Sequence, residues 1–271
     1  MSDFDFKQHN RSAWNRLAKE GNRFARPAKE SDYENPLASV DGPGWLGNDI
    51  TGKRVLCLAA GGGRQGPLYA AAGAVVTVVD ISDQMLMIDR QVCTSKGLTM
   101  QTIETSMDDL SMLATASFDI VIHPVSSCYV PDLSVVYGEV ARVTTENGLY
   151  ISQHKQPASL QASVDTDRNG RYVLMHEHGT NRPLPEPEQS SLIREPGTCE
   201  YVHSWQTIVG ALCGSGFVVE DLIEPDHTDV GSERGTFGHR SRFVNPYVRI
   251  KARRNSAAAR SAKLLWTPTE V

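Results

Sequence analysis

Along this chain, short apolar runs alternate with stretches whose apolar positions recur every three or four residues. The first pattern marks a strand buried on both faces, the second an amphipathic helix. Arg54–Leu58 reads as a strand. Leu68–Ala72 follows as an Ala-rich helix that begins near Gly66 and closes at Gly73, and Val75–Val79 is a second strand. Ser82 caps a helix over Asp83–Lys96, with Met85, Leu86, Ile88 and Val92 on its apolar face and Gly97 at its end. Met100–Glu104 and Phe118–Ile122 are the third and fourth strands. Pro131 and Asp132 open a helix to Val143, with Val135, Val136, Val140 and Val143 as its buried stripe. Glu146-Asn147-Gly148 is a turn, and Leu149–Ser152 a fifth strand. Ser204 caps a helix over Trp205–Cys213, and Phe217–Ile223 and Tyr247–Lys251 complete the strands. Strand–helix alternation of this kind predicts a parallel sheet with helices on both faces. The last two strands are joined by a polar loop with no helical period. A parallel crossover normally needs a helix, so the last strand is expected to run antiparallel.

Outside this pattern, residues 7–20 form an amphipathic helix carrying Trp14 and Leu17, which either packs on the sheet edge or caps a site. Residues 21–50 are a Pro- and Gly-containing connector. Residues 157–200, rich in proline and charge, interrupt the alternation, with Tyr172–Met175 as a possible short strand. A loop that long is commonly a lid or a binding element. The expected organisation is a capping segment over 1–50, one domain over 51–254 carrying the 157–200 insert, and a polar tail over 255–271.

The chemistry is concentrated between the first two strands. Gly61, Gly62 and Gly63 make a turn free to take positive φ, with no Cβ to hold off a ligand. Asp80 ends the second strand about twenty residues later, where a carboxylate accepts hydrogen bonds from both hydroxyls of a ribose. This is a nucleoside-binding βαβ unit. Gly61, Gly63 and Gly66 also fit G-x-G-x-x-G, the dinucleotide fingerprint. However, Arg64 and Gln65 are bulky inside the turn, and Pro67 sets a helix start later than a dinucleotide site prefers.

Val55–Gly63, VLCLAAGGG, resembles the first motif of the class I S-adenosylmethionine-dependent methyltransferases, hydrophobic-hydrophobic-Asp/Glu-hydrophobic-Gly-x-Gly-x-Gly. Cys57 stands in place of the acidic residue and Ala59 in place of the first glycine. The resemblance spans roughly residues 50–153. It implies an α/β, Rossmann-like fold with a seven-stranded, mostly parallel sheet, an antiparallel last strand and helices on both faces. It implies S-adenosyl-L-methionine as the cofactor, draped over Ala59, Ala60, Gly61, Gly63, Arg64 and Gln65, with its ribose on Asp80 beside Ile81. Met85, the backbone of Met107, and Asp108 are expected near the adenine; Ser106 holds the position where the family usually has an aspartate. In open α/β sheets ligands sit beyond the carboxyl ends of the strands. That places His123 beside the donor and His154 facing the same cleft, both candidate bases for the acceptor, with Tyr129 positioning it. The reaction implied is an in-line methyl transfer to a small-molecule acceptor.

Composition narrows the setting. The chain has 271 residues and a net charge of −5, which argues against nucleic acid as the main partner. Its five cysteines are scattered without a C-x-x-C pair and read as reduced thiols of a cytoplasmic protein. His176-Glu177-His178 matches no metal motif, so no metal is expected. The first residues are polar and acidic, unlike a secretory signal, and no apolar run reaches membrane-spanning length. Three alternatives stay open: an NAD-dependent oxidoreductase, an aminopropyl-type transferase on the same fold, and a non-catalytic adenosylmethionine-binding subunit.

Overall fold

Val55, Leu56, Cys57 and Leu58 are wholly buried, as a strand covered on both faces must be, and they lie in the middle of the sheet. The computed structural model describes residues 4–186 and 191–258. In chain order its main elements are α1 (Phe6–Lys19), α2 (Pro36–Val40), β1 (Arg54–Leu58), α3 (Gln65–Ala71), β2 (Val75–Asp80), α4 (Asp83–Lys96), β3 (Gln101–Glu104) and β4 (Phe118–His123). They continue with α5 (Leu133–Val143), β5 (Thr144–Lys155), α6 (Pro157–Gln161), α7 (Ala211–Gly214), β6 (Phe217–Ile223), α8 (Phe237–Ser241) and β7 (Tyr247–Arg254). A π-helical turn, Gln206–Gly210, leads into α7.

The seven strands form one sheet in the order β3-β2-β1-β4-β5-β7-β6. The pairs from β3 to β5 are parallel, and β7 runs antiparallel to both β5 and β6. The expected antiparallel last strand is therefore present, inserted between β5 and β6. The loop before it holds only α8, too short for a crossover. One face of the sheet packs Leu56, Val121, Tyr150 and Ile250 against Val136, Tyr137 and Val140 of α5. The other face packs Val55, Val76 and Ile120 against Tyr69 of α3 and Leu86 of α4.

Some boundaries differ from the sequence reading. The turn at Glu146-Asn147-Gly148 is a bulge inside a longer β5, with Asn147 left-handed at φ 63°. The β4–β5 register shifts between Phe118 and Ile120 to absorb it. Tyr172–Met175 is not a strand; only Leu174 makes a single bridge, to Ala162. β4 runs one residue further than the expected Phe118–Ile122 and ends on His123 itself. Beyond residue 258 the expected polar tail, with Arg260 and Lys263, lies outside the described residues. Among the described residues no helix is long and apolar enough to cross a membrane, and no cluster of three His, Cys, Asp or Glu side chains is placed to hold a metal ion.

Candidate functional site

A cavity of about 520 Å³ opens beyond the carboxyl ends of β1, β2 and β4. Its floor begins at the glycine turn. Ala59 takes a left-handed φ of 48°, the conformation a glycine would hold without steric cost. Gly61 cannot be larger, because a Cβ there would stand 2.8 Å from Met85 Cβ and 3.1 Å from Asp80 Oδ2. Gly66 serves packing instead: a Cβ there would stand 2.5 Å from Val78 Cγ2, so α3 lies tightly on β2.

Two buried carboxylates hold the turn. Asp80 Oδ2 accepts from the Gly61 amide (2.9 Å) and Oδ1 from the Ser82 amide (2.9 Å). Burial raises its pKa to about 6, against the opposing pull of those amides. Asp89, on α4, accepts from the Gly63 amide at 2.7 Å and the Gly62 amide at 3.2 Å. Its pKa stands at about 7, mainly through burial and in smaller part through the nearby Asp80 charge. The sequence reading missed Asp89, although its signal was present. It is a charged residue spaced three and four from Leu86 and Met85 on an otherwise apolar stripe, where only a partnered charge is tolerated. Cys57, at the motif's acidic position, is wholly buried in the sheet core and does not reach the cavity.

Of the residues expected to hold the donor, Ala59, Ala60, Gly61, Arg64, Gln65, Asp80, Ile81, Met85, Met107 and His123 line the cavity. Gly63 does not. Its amide is turned to Asp89, and its missing Cβ faces Ile88, Val92 and Pro27. Asp108 does not either; it pairs with Lys7 at 2.9 Å, while Ser106 takes a place in the wall.

Of the expected acceptor-side residues, His123 and Tyr129 line the cavity. His123 Nδ1 is 2.8 Å from the Tyr150 hydroxyl, and Nε2 is buried with no hydrogen-bond partner. Burial lowers the His123 pKa to about 3, so the ring is neutral at physiological pH. The Tyr129 hydroxyl donates to Glu195 Oε2 at 2.6 Å. His154 is not brought to the cavity. Alternation along β5 places it on the Tyr150 face, where its ring nitrogens meet Ser127 Oγ at 2.7 Å and Ser152 Oγ at 2.8 Å. With both nitrogens engaged and almost no exposure, His154 is a packing residue.

The remaining wall comes from segments that carry no motif. Phe6, Lys7, Asn10 and Trp14 of α1 cover one side, and Pro43 and Trp45 another. Glu195 belongs to the insert, where it meets Lys155 of β5; Lys155 also meets Glu200, which holds Arg194.

A family model described as "Methyltransferase domain" matches residues 56–152. The uncharacterized methyltransferase YbaJ of Bacillus subtilis is 33% identical over 229 residues, covering 80% of this chain and 89% of that protein. A ubiquinone biosynthesis O-methyltransferase of Haemophilus ducreyi is 34% identical over 110 residues, 39% of this chain and 47% of that one. Among solved structures, a putative S-adenosylmethionine-dependent methyltransferase from Listeria monocytogenes shares the fold with a TM-score of 0.60 at 16% identity, covering 84% of this chain and all of that one.

Proposed function

We propose that this chain, which belongs to the class I S-adenosylmethionine-dependent methyltransferases, methylates a hydroxyl oxygen of a small-molecule acceptor held against His123. The cavity fits the cofactor. It offers a buried carboxylate at the end of β2, a glycine turn closed to any Cβ, the apolar Met85 and Met107, and an unpartnered imidazole nitrogen. In this reading Asp80 accepts from the ribose hydroxyls, Met85 and the Met107 backbone hold the adenine, and Ala59–Gln65 carry the methionine portion. The two departures from the family motif leave the turn in place. Ala59 adopts the glycine conformation, and Asp89 secures the turn from behind where Cys57 supplies no carboxylate.

The observation that carries the acceptor assignment is His123, a cavity-lining residue whose Nε2 is buried without a hydrogen-bond partner. In the tautomer whose Nδ1–H donates to the Tyr150 oxygen, Nε2 carries the lone pair and is the ring nitrogen left for an acceptor hydroxyl. S-adenosylmethionine supplies an already activated methyl group, so the protein has to align the two reactants and exclude water. A ring with a pKa of about 3 is a poor proton acceptor, so His123 orients the hydroxyl and does not act as a general base. The name of the Haemophilus relative, an O-methyltransferase, supports oxygen as the acceptor atom. Residues 157–200 close the acceptor side through Glu195.

The test is incubation with S-adenosylmethionine and a set of phenols, catechols and aliphatic alcohols, with products read by mass spectrometry. A hydroxyl compound gaining one methyl group is expected. His123→Asn should lower kcat/KM by less than the roughly 10²–10⁴ that loss of a general base costs, and should leave donor affinity in place. Donor binding with no methylation of any hydroxyl compound overturns the oxygen assignment. A loss inside the general-base range overturns the orienting role.

A further inference from the structure

The charged side chains around the cavity are unequally satisfied. All its carboxylates are engaged: Asp41 by the Trp45 and Leu46 amides, Asp80 by Gly61 and Ser82, and Glu195 by Lys155 and Tyr129. Its arginines are not. Arg23, Arg26, Arg64 and Arg249 line it, and among the described residues none has an ion-pair partner. The first three are exposed and gather at the glycine turn, where the Ala28 amide donates to the Gly63 carbonyl.

Arg249 is different in position and in burial. It lies on β7, separated from β1 by β4 and β5, so three strand spacings, roughly 14 Å, divide it from the strand that feeds the turn. It is half-buried. Each of the other buried or half-buried arginines of the described chain has a carboxylate or a backbone carbonyl as partner, although Nη2 of Arg194 is buried without one. Arg11, Arg142, Arg194 and Arg253 have carboxylates, and Arg240 and Arg254 donate to backbone carbonyls. Arg249 has only a neutral partner on the adjacent strand: its Nε donates to Gln153 Oε1 at 2.6 Å. That bond fixes the plane of the guanidinium and leaves its two terminal nitrogens, the donor fork, without a protein acceptor. A guanidinium oriented by its Nε, with the terminal fork free, has the geometry that binds a carboxylate bidentately. The surrounding wall carries Pro43, Trp45, Ile151 and Tyr247, together with Ser39 and Asp41, whose carboxylate is taken by the Trp45 and Leu46 amides.

We infer that Arg249, oriented by Gln153, is the specificity-determining anchor for the acceptor, which is an amphiphilic acid with its carboxylate on Arg249 and its apolar body along Trp45 and Ile151. This rests on the small-molecule reading above and adds the acceptor's charge to it.

The experiment uses calorimetry on the full chain saturated with S-adenosylhomocysteine. 4-Hydroxybenzoate, indole-3-acetate and octanoate are each titrated beside the corresponding uncharged amide. At least one acid should bind ten times more tightly than its amide. Arg249→Met should erase that preference, and Arg249→Lys, which keeps the charge and loses the fork, should retain only part of it. Both variants should bind S-adenosylhomocysteine like the parent, which also shows that they fold. Absence of any acid-over-amide preference in the parent, or its survival in Arg249→Met, overturns the inference. Failure of the parent to bind S-adenosylhomocysteine instead removes the proposed donor site, a separate result. A methylated acceptor without any anionic group would leave the methyl-transfer reading intact and refute the anchor.

Discussion

In the proposed ribose role, Asp80 would carry two demands that pull its charge in opposite directions. Burial raises its pKa to about 6, while a ribose offers hydroxyl protons that only the ionised form accepts fully. Below about pH 6 the free carboxyl is largely protonated, and donor binding must first expel that proton. We therefore predict that donor affinity is flat above pH 7 and falls by up to about tenfold per unit as pH drops below 6. Asp80→Asn should abolish that slope. At pH 8 it should weaken binding, with each lost hydrogen bond to the charged group contributing about 1.5–3 kcal/mol. Calorimetry with S-adenosylhomocysteine from pH 5 to 8 reads both, and a parent without an acid limb would show that Asp80 is not the ribose ligand. Asp80 was legible from sequence because it ends a strand at a fixed distance from the glycines. Asp89, His154 and Arg249 were not legible to the same degree. Each depends on which face of an element its side chain takes and on what another segment brings to it. The strand-end rule places His123 and His154 alike, and their rings do share one face of the sheet, 6.3 Å apart, but Ser127 and Ser152 close over His154 and only His123 lines the cavity.

Among the elements, α1 shows how a segment without a motif becomes part of the site. Ala13 and Leu17 are buried on the same face that lines the cavity through Phe6, Asn10 and Trp14, so one face both packs and caps. Asn10 fixes its position. Its amide donates to the Tyr129 and Cys199 carbonyls, each at 3.1 Å, and its carbonyl oxygen accepts from the Cys199 amide at 2.7 Å. Asn10→Ala would leave those buried backbone groups unsatisfied, at about 1–3 kcal/mol each. We expect faster hydrogen exchange over residues 6–19 and 197–201, and weaker donor binding, with the sheet's protection unchanged. Uniform loss of protection across the sheet would mean that α1 is part of the global folding unit and not a separately opening cap. Strong periodicity made the elements easy to foresee: β1 and β6 have the expected ends, and α4 has its Ser82 cap and Gly97 stop. The misses are short or irregular pieces. The helices α2, α6 and α8 are too brief to establish a period, and the Asn147 bulge looks in sequence like the end of a strand.

On the scale of the molecule, the sheet and the insert after β5 are joined by charge in a place where charge is costly. Lys155, on β5, meets both Glu195 and Glu200, Arg194 meets Glu200, and all four side chains are almost fully buried. Burial pulls the Lys155 ammonium towards neutrality, but the two carboxylates outweigh it and hold its pKa well above the ordinary lysine value. In sequence these residues read as a solvated, proline-rich stretch, because nothing local reveals that a lysine some forty residues upstream will meet them inside the protein. The cluster is neutral as a whole, so its net contribution to stability is small, while removing one member strands the others. Lys155→Met should therefore destabilise the protein by about 3–5 kcal/mol, read by urea unfolding at neutral pH. The same substitution combined with Glu195→Gln, which leaves the neutral Arg194–Glu200 pair, should recover a good part of that loss. The recovery is the discriminating result, since a lysine acting only through its apolar stem would show none. Glu195 lines the cavity beside Tyr129, so the single variant should also weaken acceptor binding before it affects the donor, which the proposed function puts on the glycine turn. Equal losses for both ligands would show that the cluster supports the fold as a whole and not the acceptor wall alone.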